Sequence, residues 1–591
     1  MRHRDRLYLR FVRLARRLND RQMMMVLAVV VGLLAGVGTY LFEMLLGGIK
    51  WALTSWFNVE TPTWLYLVYP ALGIIIASLF VRYIVKDNIS EGVTRVLYAM
   101  SKRSSRIKPH NMWTSLVGGA TTIGFGGSVG PEAPIVLTGA AIGSNVGRAL
   151  RLNYKQSTLL LCCGAGAAVA AIFKAPIAGL VFVLEILMLE MTAGSIIPLL
   201  LATITGTTLA FSLRGFDPII AVNVPEVFKI GNLPMFALLG LVCGLVAFYF
   251  TSVNGAVARF FGRFEKMWQK WLVGGAILGV LLFLFPPLYG EGYEAFGELM
   301  RGRMDTLFEN SLFYEYRSIP WVIIVYLVAA LFLKVIATAT TNAAGGVGGT
   351  FAPSLFVGAF TGAAIAFLCN SLFGMRLPLV SFTLVGMAGV MAGVMKAPLT
   401  SIFLIAELSD GYGLFIPLMV TTAISFMINH WLDPDSIYTK QLRQRGELLS
   451  HDKDTSVMVF LDLQKLMETD FLPIAVDATL GDAVKVISRA KRNVFPVTDP
   501  GGRLVGIVQL DDVRVDMFEP GKYSTPVSNY MIEPPERILP GEQVSSVLKS
   551  FDETSTWTLP MVDREGRYLG FLSKSRILAA YREQLVEISQ S

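Results

Sequence analysis

Charge, cysteine and histidine are all scarce in this chain, and each scarcity removes a class of function. Only 16% of its 591 residues are charged while 53% are apolar, so a solvated surface of ordinary size is hard to build from it. Composition therefore places most of the chain in a membrane. The four cysteines, Cys162, Cys163, Cys243 and Cys369, all stand in apolar runs, where a thiol behaves as a small hydrophobe, so no disulfide framework is implied. The four histidines, His3, His110, His430 and His451, show no His-x-x-x-His or Cys-x-x-Cys spacing. Metal hydrolysis and histidine-based nucleophilic catalysis are left without their residues. No enzyme, metal site or nucleic-acid partner is expected.

What is present is apolar length. Stretches able to span a bilayer run over Met24 to Leu46, Leu65 to Ile84, Phe236 to Phe250, Leu272 to Leu288, Val322 to Ala337 and Leu414 to Ile428, and several others are short and broken by Gly or Pro. A simple straight bundle does not read this way. The start, MRHRDRLYLRFVRLARRLNDR, carries eight Arg against Asp5 and Asp20, a net +6 that accounts for nearly all of the chain's +7. That is more charge than a signal peptide's n-region needs, and by the positive-inside rule it puts the N-terminus in the cytoplasm. The spacing of Leu7, Leu9, Phe11, Val12, Leu14 and Leu18 predicts a basic amphipathic helix over residues 1–22 at the membrane surface.

The composition changes near residue 440. The membrane part is expected over 23–443, with halves of about 23–215 and 233–443, followed by a linker over 444–455 and a polar tail over 456–591 that contains no spanning stretch. The tail repeats at an offset of 64: Phe495-Pro496-Val497 answers Leu559-Pro560-Met561, and Asp499, Gly502, Arg503 and Gly506 recur as Asp563, Gly566, Arg567 and Gly570. Each copy, about 468–520 and 526–585, reads helix, strand, turn, strand, helix. The tail is expected in the cytoplasm with the N-terminus.

The membrane part repeats as well. FKAPIAGLVFVLEI from Phe173 matches MKAPLTSIFLIAEL from Met395 at an offset of 222, with Lys174, Ala175, Pro176 and Glu185 recurring as Lys396, Ala397, Pro398 and Glu407. GGSVGPEAPIVLTGAAIG at 126–143 aligns with GGVGGTFAPSLFVGAFTG at 345–362, eight identities in eighteen positions at an offset of 219. Duplicated halves with Gly- and Pro-interrupted apolar segments in corresponding places point to a transporter whose substrate sits near the midplane, where broken helices meet.

Glu132 falls at that place, opposite Phe351 in the second half. An ionisable side chain at membrane depth is costly and therefore a functional candidate. The glycines around Gly130 and Gly349 let the chain enter a helix at membrane depth with its first N–H groups free and the positive end of its dipole exposed, which suits an anion. The competing reading is that they only let helices pack closely.

These residues resemble the CLC chloride channels and transporters. GGSVGPEAP is similar to the family's gating-glutamate segment, GGVGGTFAP to its second anion-site segment, and SIYTKQL at 436–442 to the helix bearing its pore tyrosine, while the tail resembles a pair of CBS motifs. The resemblance covers nearly the whole chain. It implies an all-helical polytopic membrane fold of two inverted halves with broken helices, an α/β CBS pair, and a homodimer in the cell membrane with an anion pathway in each subunit. Glu132 then corresponds to a gate whose carboxylate competes with chloride and withdraws when protonated, so gating depends on pH and chloride. Thr350 and Phe351 match positions whose backbone N–H groups face the anion, and Tyr438 matches the hydroxyl that closes the inner side.

Three departures accompany the match. The family's serine place, forty-one residues before the gate, lands on Glu91 beside Ser90; either Ser90 supplies the hydroxyl, or an acid lies near the anion site, or Glu91 points into water. Pro131 precedes the gate where many members have arginine, which weakens anion attraction, and Ala133 follows it instead of glycine. Ile186 stands where proton-coupled members carry an internal glutamate, and isoleucine cannot relay a proton. That favours passive or weakly proton-coupled transport; the alternative is a Cl⁻/H⁺ antiporter using water or Glu190, one helical turn on, with Glu185 a further candidate beside Glu132.

No cofactor is required in the membrane part. CBS pairs often bind adenine nucleotides, with an aspartate for the ribose and Ser or Thr for phosphate. Asp512 is present in the first copy with Gln509 in place of Thr, and Ser573 in the second with Arg576 in place of Asp, so each copy keeps half of the pattern. A CBS-regulated divalent-cation transporter is a third reading. It requires acids clustered at membrane depth, and only Glu132, Glu185 and Glu407 lie well inside.

Overall fold

The computed structural model describes residues 19–55, 64–90, 92–102, 105–189, 191–215, 228–409, 411–444, 463–542 and 544–590. Residues 1–18 of the surface helix expected over 1–22, Glu91, Glu190 and nearly all of the expected linker lie outside them, and residues 20–22 already belong to the helix Asp20–Thr54. The chain divides into two compact units, Met1–Leu448 and Leu449–Ser591.

In the first unit, nine helices among the described residues are long and apolar enough to cross a membrane. Six coincide with the expected spans: Asp20–Thr54, Trp64–Val85, Ile230–Gly262, Met267–Leu284, Pro320–Ala343 and Phe415–Lys440. The fourth of these stops at Leu284 and not at Leu288, because Pro286 has no N–H to give and drives Phe285 out of helical backbone (φ −129°, ψ 80°).

Three more spans were not expected: Tyr154–Phe173 and Phe351–Phe373, which are rich in Gly and Ala and are the most buried of the nine, and Gly194–Arg214, which carries Pro198 in its interior. Their small residues let backbones touch. A Cβ on Gly139 would fall 2.2 Å from the Gly164 carbonyl oxygen, and one on Gly143 2.0 Å from that of Leu160. In the second half Gly358 meets the Gly386 oxygen at 2.4 Å and Gly362 that of Phe382 at 1.9 Å. The duplication thus extends to individual packing contacts, and for these four glycines close packing is the reason they are there.

The breaks repeat too. Lys174 (φ +53°) and Lys396 (φ +58°) both adopt the left-handed conformation that L-residues avoid. Each ends one helix just before a proline opens the next, Pro176–Glu185 in the first half and Pro398–Leu408 in the second. These short helices cap each other. The Glu407 carboxylate accepts the N–H groups of Ile177 (2.9 Å) and Ala178 (2.8 Å). Glu185 accepts those of Leu399 (2.9 Å) and Thr400 (2.7 Å) together with the Thr400 hydroxyl (2.7 Å). The acids meet the orphan donors and the positive dipole ends of the opposite half's helices.

The second unit holds two copies of one motif. In the first, β1 (Ile474–Ala475) pairs parallel with β2 (Val494–Thr498), which pairs antiparallel with β3 (Leu504–Gln509); in the second, β4 (Thr558–Val562) and β5 (Tyr568–Ser573) form the matching hairpin. Helices Leu480–Ile487 and Val544–Thr554 precede the hairpins, as the pattern predicted. The copies are joined by bridges Glu468 to Phe571 and Ile507 to Ile532, each the 64-residue translate of the other.

Glu407→Ala is expected to leave the Ile177 and Ala178 N–H groups unpaired in an apolar setting, costing about 2–3 kcal/mol. Thermal unfolding in detergent checks this, and a variant melting with the wild type would contradict the capping role.

Candidate anion pathway

Gly126 (φ +94°) and Gly345 (φ +107°) each take the positive φ that glycine accepts freely, and they turn the chain toward the centre of the unit. There the two halves meet. The N–H of Gly130 donates to the Gly349 carbonyl (2.8 Å) and the N–H of Gly349 to that of Gly130 (2.7 Å). Immediately after this exchange the two helices Glu132–Ala149 and Phe351–Phe373 begin, with Pro131 and Thr350 as their caps and no side-chain bond at either cap.

The two glycines therefore contribute room and not donors. The Glu132 carboxylate lies against them: a Cβ on Gly130 would stand 2.0 Å from Oε2, and one on Gly349 3.1 Å from it. The side chain is buried, and Oε2 has no hydrogen-bond partner. Oε1 accepts a hydrogen bond from the Tyr293 hydroxyl at 3.0 Å. The N–H groups of Glu132 itself and of Ala352 lie within electrostatic reach of the carboxylate.

Other expected residues gather here. Phe351 is buried at the start of the second helix, its ring 5.3 Å from Phe173 and 6.4 Å from Phe182 between centroids. The Thr350 hydroxyl is buried without a hydrogen-bond partner, and the Tyr438 phenol lies beside it and within Coulombic reach of Glu132. Tyr438 is itself buried, on the helix Ile437–Gln444. Gly92 lies so close to the Glu132 helix that a Cβ would fall 2.1 Å from the Ala133 carbonyl oxygen, so the Ser90 segment reaches the same region. Ser90 is half-buried, and its N–H donates to Asn88 Oδ1 at 3.0 Å.

Glu185 and Ile186 end the short helix Pro176–Glu185, where both Glu185 oxygens serve as the cap described above and Ile186 is buried. Tyr293 is the residue that sequence reasoning missed. The segment GEGYEAF lies outside the aligned repeats, and nothing in its spacing ties it to Glu132.

In the tail, Ser573 donates its hydroxyl to Glu468 Oε1 (2.5 Å), and Glu468 also pairs with Arg492. Arg492 stacks over the Phe471 ring at 5.0 Å and bonds Asp470 through Nε at 2.9 Å. The Ser573 hydroxyl thus already faces a carboxylate. Asp512 is exposed on the short helix Leu510–Val513.

Three comparisons with known proteins place these features. The voltage gated chloride channel family matches residues 73–430, and the CBS domain matches 462–517 and 527–583. The H(+)/Cl(-) exchange transporter ClcA of Vibrio parahaemolyticus is 28% identical over 453 residues, covering 73% of this chain and 90% of that protein. Chloride channel protein CLC-e of Arabidopsis thaliana is 24% identical over 558 residues, covering 82% and 75%. Among solved structures, a slow cyanobacterial Cl-/H+ antiporter superposes with a TM-score of 0.61 at 24% identity over 72% of this chain and 98% of its own, and a eukaryotic CLC transporter with 0.59 at 15% over 94% and 97%. At these identities the structures speak for the fold.

The Arg492 guanidinium holds the exposed Asp470 carboxyl below its usual range. Such an acid adds stability above its ordinary value near pH 4 and loses that contribution as pH falls through its lowered one. Asp470→Asn is therefore expected to lower the melting temperature of the tail slightly at pH 7 and to leave it unchanged in acid strong enough to protonate Asp470 in the folded chain, as calorimetry of the full chain would show.

Proposed function

This chain belongs to the voltage gated chloride channel family, whose members carry chloride across membranes, and we propose that its own pathway is gated by Glu132 and is passive or only weakly coupled to protons. One observation carries the reading: a single buried carboxylate lies beside the crossing of two glycine-led helix starts. An anion at that crossing is stabilised by first-turn amides that have no intrahelical acceptor and by two dipole ends. Glu132 mimics the ion and competes with it. Protonation removes the mimicry, and chloride then takes the berth. Thr350, Phe351 and Tyr438 form the rest of the anion site, with Ser90 approaching from the inner segment.

Weak coupling is supported on the inner side. Ile186 has no titratable group, and the Glu185 carboxylate is committed to three hydrogen bonds as a helix cap. The second reading, a Cl⁻/H⁺ antiporter with water or Glu190 as the inner route, is favoured by the exchange transporter named above. We further assign the halves to about 23–215 and 233–443, both termini to the cytoplasm, and the working unit to a homodimer with one pathway per subunit. The exposed apolar side chains of Ile197, Leu200 and Ile204 on one helix and of Ile416, Met419 and Met427 on its repeat mate suit such a partner. For the CBS pair, adenine nucleotide is the ligand class to test, with Asp512 and Ser573 as its candidates.

Chloride efflux from proteoliposomes decides between the readings. A reversal potential that ignores an imposed pH gradient is expected, and a shift toward the proton potential would establish the antiporter. Glu132→Ala is expected to abolish the pH dependence of flux; an unchanged dependence removes Glu132 from the gate.

A further inference from the structure

The gate's side-chain partner comes from a segment that belongs to neither aligned repeat. Residues 288–294 run from the end of a 3-10 turn into the helix Tyr293–Met300, turning at Gly290 (φ +57°) and Gly292 (φ +86°). Four side chains fasten this segment to its surroundings. Ser128 donates to the Leu288 carbonyl at 2.7 Å. The buried Lys334 ammonium donates to the carbonyls of Leu288 (3.1 Å) and Gly290 (2.8 Å). The Tyr289 hydroxyl donates to the Gly124 carbonyl at 2.6 Å, and Lys50 pairs with Glu291 at 2.9 Å. A Cβ on Gly292 would fall 2.5 Å from the Phe356 ring, so the backbone cannot retreat on that side.

The fastening aims one group. Tyr293 packs edge-on to Phe173 (6.5 Å) and Phe296 (5.4 Å), and its hydroxyl reaches Glu132 Oε1. Among the described residues this is the only side-chain hydrogen bond that Glu132 receives. The other titratable groups facing the pair are Glu291 and Tyr438 toward Glu132, and Glu291 and Glu43 toward Tyr293, with Lys50, Glu294 and Lys334 around Glu291.

We propose that Tyr293 is a positioning residue for the gate: its phenol, held by the fastened 288–294 segment, keeps the Glu132 carboxylate seated between Gly130 and Gly349 and so sets the proton and chloride concentrations at which the berth opens. This rests on the gating reading of Glu132. A neutral donor binds a carboxylate more strongly than a protonated carboxyl, so it favours the seated, charged gate. Without it the gate releases at lower proton and chloride concentrations.

The test is chloride efflux from proteoliposomes across a pH series, using the full chain with Tyr293→Phe, Glu132→Gln, both together, and Tyr326→Phe as a control that removes a hydroxyl bonded elsewhere, to the Leu307 carbonyl. Tyr293→Phe is expected to raise the pH of half-maximal flux by about one unit, the equivalent of a tenfold change in proton concentration. Its flux at acidic pH should equal the wild type's, which reports an intact fold. Tyr326→Phe should not move the midpoint, and the double variant should behave as Glu132→Gln alone. Placing 3-fluorotyrosine at 293, a stronger donor, should move the midpoint the other way. If Tyr293→Phe keeps the wild-type midpoint, or only lowers the acidic plateau, the ring merely packs and the positioning role is refuted. If Glu132→Gln keeps the wild-type pH response, the gating reading fails first.

Discussion

Two backbone hydrogen bonds, exchanged between Gly130 and Gly349, hold the centre of the membrane unit. They satisfy the peptide groups of a chain that is not helical at a depth where water is scarce, which is the condition for irregular backbone to exist there. They also fix where the following helices start. Because those starts are buried, their first-turn N–H groups cannot be left to solvent, and Pro131 and Thr350 supply no side-chain cap. A site of this kind attracts negative charge. The structure seats a carboxylate beside it.

The duplication shows which acids are structural. Glu185 and Glu407 recur at equivalent positions, and each caps the other half's short helix, so losing either would orphan donors across the pseudo-symmetry. Glu132 recurs as Phe351, whose ring joins Phe173 and Phe182 in an apolar wall. Charge kept in both copies satisfies a backbone need common to both. Charge present in one copy only is free to serve the asymmetric task of opening a path.

Much of this was legible because it is periodic or repeated: the long Leu- and Val-rich spans, the glycine-led helix starts after Gly130 and Gly349, and the hairpins of the tail follow from pattern and spacing. Three spans were not legible as spans. Glycine and alanine blur the apolar signal in Tyr154–Phe173, where tight packing against Gly139 and Gly143 explains the composition. The capping role of Glu185 was hidden because its partners, Leu399 and Thr400, lie more than 200 residues away in sequence. The bond from Ser573 to Glu468 was hidden for the same reason, its acceptor lying 105 residues upstream. Tyr293 had no repeat mate, no periodicity and no charge, and only the folded chain brings it to Glu132.

The two ends of the pathway differ in chemistry. Glu291 and Glu43 lie near Tyr293, and Lys50 pairs with Glu291, so titratable groups surround the bond to Glu132. Along the short helix Pro176–Glu185 the only acid is bound to three donors, and the next residue is the buried Ile186. A carboxylate that gives up such a cap exposes two or three donors in an apolar setting, a cost of several kcal/mol on top of any proton transfer. Glu185 is therefore a poor stepping stone for a proton even though it lies close to the family's proton-transfer position. On the proposed gating, protonation of Glu132 with Glu185 held as a cap yields pH-controlled opening more readily than an exchange routed through Glu185. On the same proposal the fixed donor beside that seat, the Tyr293 phenol, is what returns the carboxylate to it.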